Sequence, residues 1–229
     1  MKPKLHIIVK SLPEQIAESV AASIIRGELL PGASIREQQI ADEFDVSRAS
    51  VREALRILER DGVVEIRARR GARVTQLTLT EMVEIYQIRR VLFGLSASLF
   101  AQSHTDADVA WLRDNLRQMK EIKEDTDEAW ASRHGQQSAE MARRIIERSG
   151  NKRLAQVLLQ MSMQIARYTI RGLSSSARRA QSITSWTRLI VAIAKADSEA
   201  AEAAAEHMIG QTLEYVSRQL GDTTTRPAS

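Results

Sequence analysis

Residues 36–74 read REQQIADEFDVSRASVREALRILERDGVVEIRARRGARV, and this stretch decides the fold. Ile40 and Phe44 lie one turn apart on a short helical segment that runs into Asp45-Val46. Ser47, a good N-cap, then opens a helix expected over Ser47 to Asp61 and carrying Arg48, Arg52 and Arg56. Val51, Ala54, Leu55 and Leu58 supply its buried i, i+3, i+4, i+7 stripe. The helix stops at Gly62. A strand-like run from Val63 to Arg67 follows, then a basic turn, Ala68-Arg69-Arg70-Gly71, and a second short strand from Ala72 to Thr75. Helix, tight turn, arginine-faced helix and basic hairpin are the layout of a winged helix-turn-helix that reads the DNA major groove.

Upstream, Leu12 to Arg26 reads as a first helix with Ile16, Val20 and Ile24 on one face. Gly27 is a natural left-handed stop, and Pro31-Gly32 makes a turn. Residues 1–10 read as a loose arm. The second helix is expected over Glu37 to Phe44, and the first domain over 1–76. Downstream the pattern is helical throughout, with segments expected near 80–102, 106–124, 127–148, 151–172, 176–195 and 197–220. Thr80, and Thr105 or Asp106, are candidate N-caps. Long helices with short connections pack as an antiparallel bundle. The fold class expected is therefore mainly α: an N-terminal winged helix-turn-helix and a C-terminal bundle of about six helices over 80–222, with a disordered polar tail over 223–229.

Composition narrows the function classes. Lys and Arg total 33 against 29 Asp and Glu in 229 residues, a net charge of +4 that permits nucleic-acid binding without establishing it. There is no cysteine, hence no disulfide framework, thiolate metal site or thiol nucleophile. Ile7-Ile8-Val9 is too short for a secretory core, and no apolar run approaches the ~20 residues of a membrane span. A cytoplasmic protein without membrane association is expected. No Gly-rich phosphate loop, G-x-S-x-G or H-E-x-x-H is present, so no enzyme is expected and no catalytic residue is assigned.

Arg48 and Arg52, four residues apart, share a helix face opposite the apolar stripe. A guanidinium fork pairs bidentately with O6 and N7 of guanine. Both arginines fall in the first two turns, the part of a recognition helix that meets base edges. The Ser47 and Ser50 hydroxyls and the helix N-terminal N–H groups suit phosphate. Arg36 and Gln38 start the preceding helix. In the wing, Gly71 lets the backbone approach the duplex, and Arg69 and Arg70 reach the minor groove or phosphate. The bland alternative is a solvated arginine face, with Glu53 and Glu59 offsetting the charge; the helix-turn context and basic wing favour DNA. Arg56 and Arg60 read as surface or packing residues.

Ser47 to Gly62, SRASVREALRILERDG, resembles the signature of GntR-type regulators, and Ile25 to Gly32, IRGELLPG, resembles that family's first-helix exit. The helical region opening with Ile85-Tyr86-Gln87-Ile88-Arg89-Arg90 is similar to the effector domain of the FadR subfamily, with support from Ser149-Gly150-Asn151 and from the Ala192-Ile193 to Asp197 run. The resemblance implies a bacterial homodimeric regulator, most simply a repressor, that binds an inverted-repeat operator and responds to a metabolite. Relatives often place Arg where Gln38 stands, which implies a different base preference there or a contact shifted to Arg36.

Many relatives hold a divalent metal with an Asp and three His. Register from Ser149-Gly150-Asn151 places Ser138 and Ala142 at the first two of those positions, and register from Asp197 places Trp186 and Met208 at the others. None of the four is a good ligand, so no metal or other cofactor is expected. His134 and His207 are the only nearby histidines. The ligand candidates are Arg89, Ser138, Trp186 and His207, with an organic acid or other anionic metabolite as effector. Arg89 projects from a largely apolar stripe, so either an anionic ligand or an internal partner must meet its charge. Trp186 reads as ordinary core or as a ligand platform, and Tyr168 and Arg179 as lining or dimer seam. Two rival functions remain: a DNA-binding protein whose helical domain only dimerises, and a helical-bundle enzyme.

Overall fold

A computed structural model describes residues 10–67, 71–122, 129–173 and 175–224. The expected N-terminal arm, apart from Lys10, and the wing arginines Arg69 and Arg70 lie outside the described residues. The chain divides into two compact units, Met1–Gln76 and Leu77–Ser229.

The first unit begins with α1, Leu12–Arg26, whose ends are both written in the sequence. Ser11 and Glu14 form a capping box, Pro13 occupies the first turn, and Gly27 closes the helix at φ 82. Next come β1 (Ser34–Ile35), α2 (Glu37–Phe44), α3 (Arg48–Arg60), β2 (Val64–Arg67) and β3 (Gly71–Val74). Ser47 caps α3 from outside, accepting the Ser50 N–H at 3.1 Å. The bend between α2 and α3 turns on Asp45, at φ 51 with its N–H donated to the Ala41 carbonyl. Aspartate tolerates that left-handed conformation better than most residues.

Two strands were expected, and a third joins them. Ser34–Ile35 pairs antiparallel with β3, with Ile35 opposite Ala72, so β3 is central in the order β1-β3-β2. A two-residue strand carries no periodicity of its own; it exists because β3 offers it a ladder. Val51, Ala54, Leu55 and Leu58 of α3 are buried, with Ile16, Val20 and Ile24 of α1 and Ile35, Val64, Ala72 and Val74 of the sheet, and α3 packs against α1 and β2. Burying a valine or leucine side chain contributes about 1.5–3 kcal/mol. The opposite face of α3 is left to solvent.

The second unit holds α4 (Leu79–Ser103), α5 (Asp106–Glu121), α6 (Ala129–Arg148), α7 (Lys152–Gly172), α8 (Ser176–Ala194) and α9 (Ser198–Thr224). Helix α4 starts one residue earlier than the sequence suggested, and its cap is Thr78 rather than Thr80. Glu81 lies at the third helical position from Thr78 and completes a capping box there. Thr105, with Asp108, caps α5 in the same way. Helix α9 continues to Thr224, so Thr223 and Thr224 are helical rather than part of a disordered tail; 225–229 lie outside the described residues. The core runs along α4 through Met82, Tyr86, Phe93, Ala97 and Phe100, and takes in Leu112 of α5, Met141 and Ile145 of α6, Leu158 of α7, Trp186 and Leu189 of α8 and Ala205 of α9. Helices α4 and α9 share the most extensive contact of the unit. Gly94 permits their close approach, because a Cβ there would lie 2.8 Å from Cγ of Glu206.

Candidate nucleic-acid interface and effector site

On the first unit, the exposed face of α3 carries Arg48 and Arg52 side by side, as their spacing requires. Both reach one carboxylate that sequence reasoning missed. Arg52 grips Glu37 with a fork, Nε to Oε1 at 3.3 Å and Nη2 to Oε2 at 3.0 Å. Arg48 Nη2 lies 3.6 Å from the same Oε2. Glu37 is the first residue of α2, and the crossing of α2 over α3 brings it there. The Arg52 hydrogen bonds, aided by the charges of Arg52 and Arg48, hold the Glu37 carboxyl below its ordinary value against partial burial. Both guanidiniums remain more than half exposed, at 60% and 54%, so they stay available to a polyanion.

Around them, the Ser47 and Ser50 hydroxyls lie 2.9 Å apart at the N-terminus of α3. Arg36 is exposed at the N-cap of α2 and makes no side-chain cap bond. Gln38, also exposed, donates to Asp42 at 2.7 Å. Gly71 starts β3 at φ 75, a conformation that favours glycine. Arg56 pairs with Glu53 at 3.3 Å.

In the second unit, the structure joins two of the four sequence candidates. Trp186 is buried, and its Nε1–H donates to Ser138 Oγ at 2.9 Å. One turn back on both helices, His134 Nε2 meets Ser182 Oγ at 3.2 Å. These two rungs tie α6 to α8. His207 is exposed, whereas its neighbour Met208 is buried, so His207 does not line the interior. Successive helical residues point about 100° apart, and the interior register of α9 falls on Met208.

The positions implied for a metal are Ser138, Ala142, Trp186 and Met208. The indole N–H is a donor already given to Ser138, alanine has no donor atom, and a thioether is a soft ligand. This set does not fit a carboxylate-binding divalent ion. Among the described residues no three His, Cys, Asp or Glu side chains come together as a metal cluster.

Arg89 is partly buried. Its Nε is enclosed without an acceptor, and its guanidinium stands 5.6 Å from the Phe93 ring centroid. A second arginine, not anticipated from the sequence, lies deeper. Arg178 of α8 is 5% exposed. It donates to Thr212 Oγ1 at 2.6 Å and lies 6.0 Å from the Tyr215 ring. Burial lowers the pKa of both guanidiniums, and both act electrostatically on Tyr86, whose hydroxyl pairs with Thr169 at 2.9 Å. His134 is wholly buried; desolvation first, then Arg179 and Arg178, push its pKa down to about 4.

A three-helix unit with a β-wing and an arginine-bearing third helix, followed by an all-helical unit with a charged interior, defines a DNA-binding regulator with an attached sensing domain. Residues 12–74 match the bacterial regulatory proteins of the gntR family, and residues 84–211 match the FCD domain. The chain belongs to the GntR family, in its FadR subfamily with an FCD domain. It is 29% identical over 189 residues to the HTH-type transcriptional regulator YdhC of Bacillus subtilis (strain 168), covering 82% of this chain and 83% of that one. It is 35% identical over 106 residues to the gluconate operon transcriptional repressor of Bacillus licheniformis, covering 46% of this chain and 43% of that one. The fold is that of E. coli McbR/YncC, with a TM-score of 0.78 at 19% identity over 92% of this chain and 99% of that one. GntR regulators bind DNA and FCD domains bind small-molecule effectors, so the chain is a DNA-binding transcriptional regulator and not an enzyme. No helix among the described residues is long and apolar enough to cross a membrane.

Proposed function

We propose that the protein acts in the cytoplasm as a homodimeric repressor that holds an inverted-repeat operator and releases it when an anionic metabolite, such as an organic acid, occupies the helical unit. The observation that carries the DNA side is the exposed pair Arg48 and Arg52, oriented by the shared Glu37 carboxylate. Arg48 and Arg52 read base edges. Ser47, Ser50 and the α3 N-terminus bind phosphate, and Arg36 and Gln38 flank them. Gly71 admits the wing backbone, with Arg69 and Arg70 beside it, to the duplex. A two-fold dimer presents two such faces to two half-sites, which is why the operator is symmetric.

The exposed stripe Ile88, Val91 and Leu95, at i, i+3 and i+7 on α4, supports self-association. Arg89, Ser138 and Trp186 belong to the effector region. The effector relieves repression only if it binds the released state more tightly than the operator-bound one. Repression is favoured by the likeness to the gluconate operon transcriptional repressor of Bacillus licheniformis.

The test is Arg52→Ala in a salt-matched operator-binding assay. Operator affinity is expected to fall by about 1–3 kcal/mol, with one base preference relaxed. Full affinity and selectivity in the variant would remove Arg52 from the base contacts.

A further inference from the structure

The β2–β3 hairpin follows α3 after only Asp61, Gly62 and Val63, and the chain turns there at Gly62 with φ 73. Backbone bonds fix the base of the hairpin: the Val63 N–H donates to the Leu58 carbonyl at 2.9 Å, and the Thr75 N–H to the Val63 carbonyl at 3.0 Å. Further out, one rung of the sheet is held from both sides. Ala72 of β3 lies opposite Ile35 of β1 on one side and opposite Ile66 of β2 on the other. In the order β1-β3-β2, β2 is an edge strand. At its edge the Ile66 N–H donates to Glu59 Oε1 at 3.0 Å, and Glu59 lies in the last turn of α3. A carboxylate in the last turn of a helix is opposed by the helix dipole, so α3 by itself does not favour one there. Glu53, nearer the middle of α3, pairs with Arg56, whereas Glu59 crosses to the wing. Hydrogen bonds to a charged acceptor are stronger than neutral ones.

We propose that Glu59 is a positioning residue for DNA reading: by holding Ile66 it sets the angle at which the wing leaves α3, so that the basic turn between β2 and β3 and the Arg48–Arg52 pair engage one duplex together. This rests on the reading of α3 and the wing as the DNA-binding surface, and it adds the residue that couples them. The length of the hairpin makes its angle matter. Val63 to Arg67 spans about 13 Å of strand at ~3.3 Å per residue, so a swing of about 15° at the base moves the outer end of β2 by roughly 3 Å. A hydrogen bond to phosphate spans about 2.7–3.2 Å and does not survive such a shift. The Glu59 bond acts three residues out from Val63, near the outer end of β2 rather than at the turn. On the far side of the sheet β1 restrains β3 at the same rung, and Glu59 closes the side that β1 cannot reach.

The experiment uses the full chain and a duplex that the wild-type chain selects from a random-sequence pool. Fluorescence anisotropy across a salt series gives the affinity and the slope of log K against log salt, which counts the phosphates neutralised. Glu59→Ala is expected to lower affinity about tenfold at ~0.1 M salt and to reduce the slope by about one or two phosphates. Glu59→Gln, which keeps an acceptor oxygen, is expected to restore most of both. Arg69→Ala together with Arg70→Ala is expected to cost affinity and slope in the wild-type background and little more in the Glu59→Ala background. Arg52→Ala is expected to cost the same in both. Ile66→Pro removes the donor at an edge position, where proline is tolerated, and is expected to copy Glu59→Ala; it decides the matter if Glu59→Ala does not fold.

A role in stability alone would leave the salt slope of the folded variants unchanged. An unchanged slope and affinity in Glu59→Ala would therefore overturn the proposal. So would equal losses in Glu59→Gln and Glu59→Ala, or additive losses from Glu59→Ala and the two wing arginines. If the wild-type chain selects no duplex, the regulator reading fails and takes this proposal with it. If it binds and loss of Arg69 and Arg70 changes nothing, the wing contact fails and the coupling with it. Binding that depends on those arginines but ignores Glu59 strikes only the positioning role.

Discussion

Glu37 lies in the face proposed to read DNA, although it carries the wrong charge for DNA. It lies under two arginines and orients one of them with a two-point fork. In the proposed complex its carboxylate opposes phosphate, while the fork limits the conformations open to Arg52 and so would favour one base contact over many. Glu37→Gln is therefore expected to strengthen binding to random-sequence DNA and to narrow the ratio between operator and random duplex. Fluorescence anisotropy against salt measures both; an unchanged ratio would mean Glu37 does not orient Arg52.

His134 gives a second consequence at this scale. Its folded pKa, about 4, lies below the ordinary 6.5. As pH falls through 6.5 the unfolded chain takes up a proton that the native chain refuses, so stability is lost between about 6.5 and 4 and is unaffected by this group above that window. The full loss is about 3 kcal/mol. Denaturant titrations from pH 7 to 4 are expected to show a shallower decline for His134→Gln than for the wild type. Parallel declines would show that His134 is protonated in the native state.

At the scale of elements, the boundaries follow local chemistry where a cap or stop is present and shift where it is misjudged. Helix α1 begins and ends where Ser11, Glu14 and Gly27 dictate. Thr80 has the residue type of a cap, but α4 starts after Thr78, which has Glu81 at the spacing a capping box needs. The α2–α3 turn depends on one left-handed residue, Asp45. A β-branched side chain is strongly disfavoured there. Asp45→Val is expected to lower stability by about 1–2 kcal/mol, and Asp45→Gly to be tolerated. Chemical denaturation of the two variants checks this, and equal stability would show that the turn adapts by another route.

At the scale of the whole molecule, the GntR and FCD matches account for a DNA-reading unit and a sensing unit on one chain. The apolar stripe on α4 belongs to this scale because its partner would be another copy. Placing a charge in its middle, Val91→Glu, is expected to shift the protein toward monomer in analytical ultracentrifugation. It should weaken operator binding while leaving helix content unchanged. A dimer of undiminished stability would place the interface elsewhere.

The winged helix-turn-helix and the helical bundle were legible in the chain because they rest on local rules: the 3.6-residue period, N-caps, left-handed glycines, and arginines four apart on one face. The joining of Ser138 to Trp186 was only implied by register, and the exposure of His207 shows how a one-residue difference reverses the outcome. In the sequence Glu37 marks only the start of a helix, and Arg178 carries no assigned role. Their roles emerged only when helices distant in sequence crossed. Periodicity tells which face of a helix is apolar, but desolvation of a charge depends on what packs against it. Sequence therefore determined the elements and their surfaces. Tertiary structure alone decided which charges were shared, which were buried, and which were left without a counter-charge.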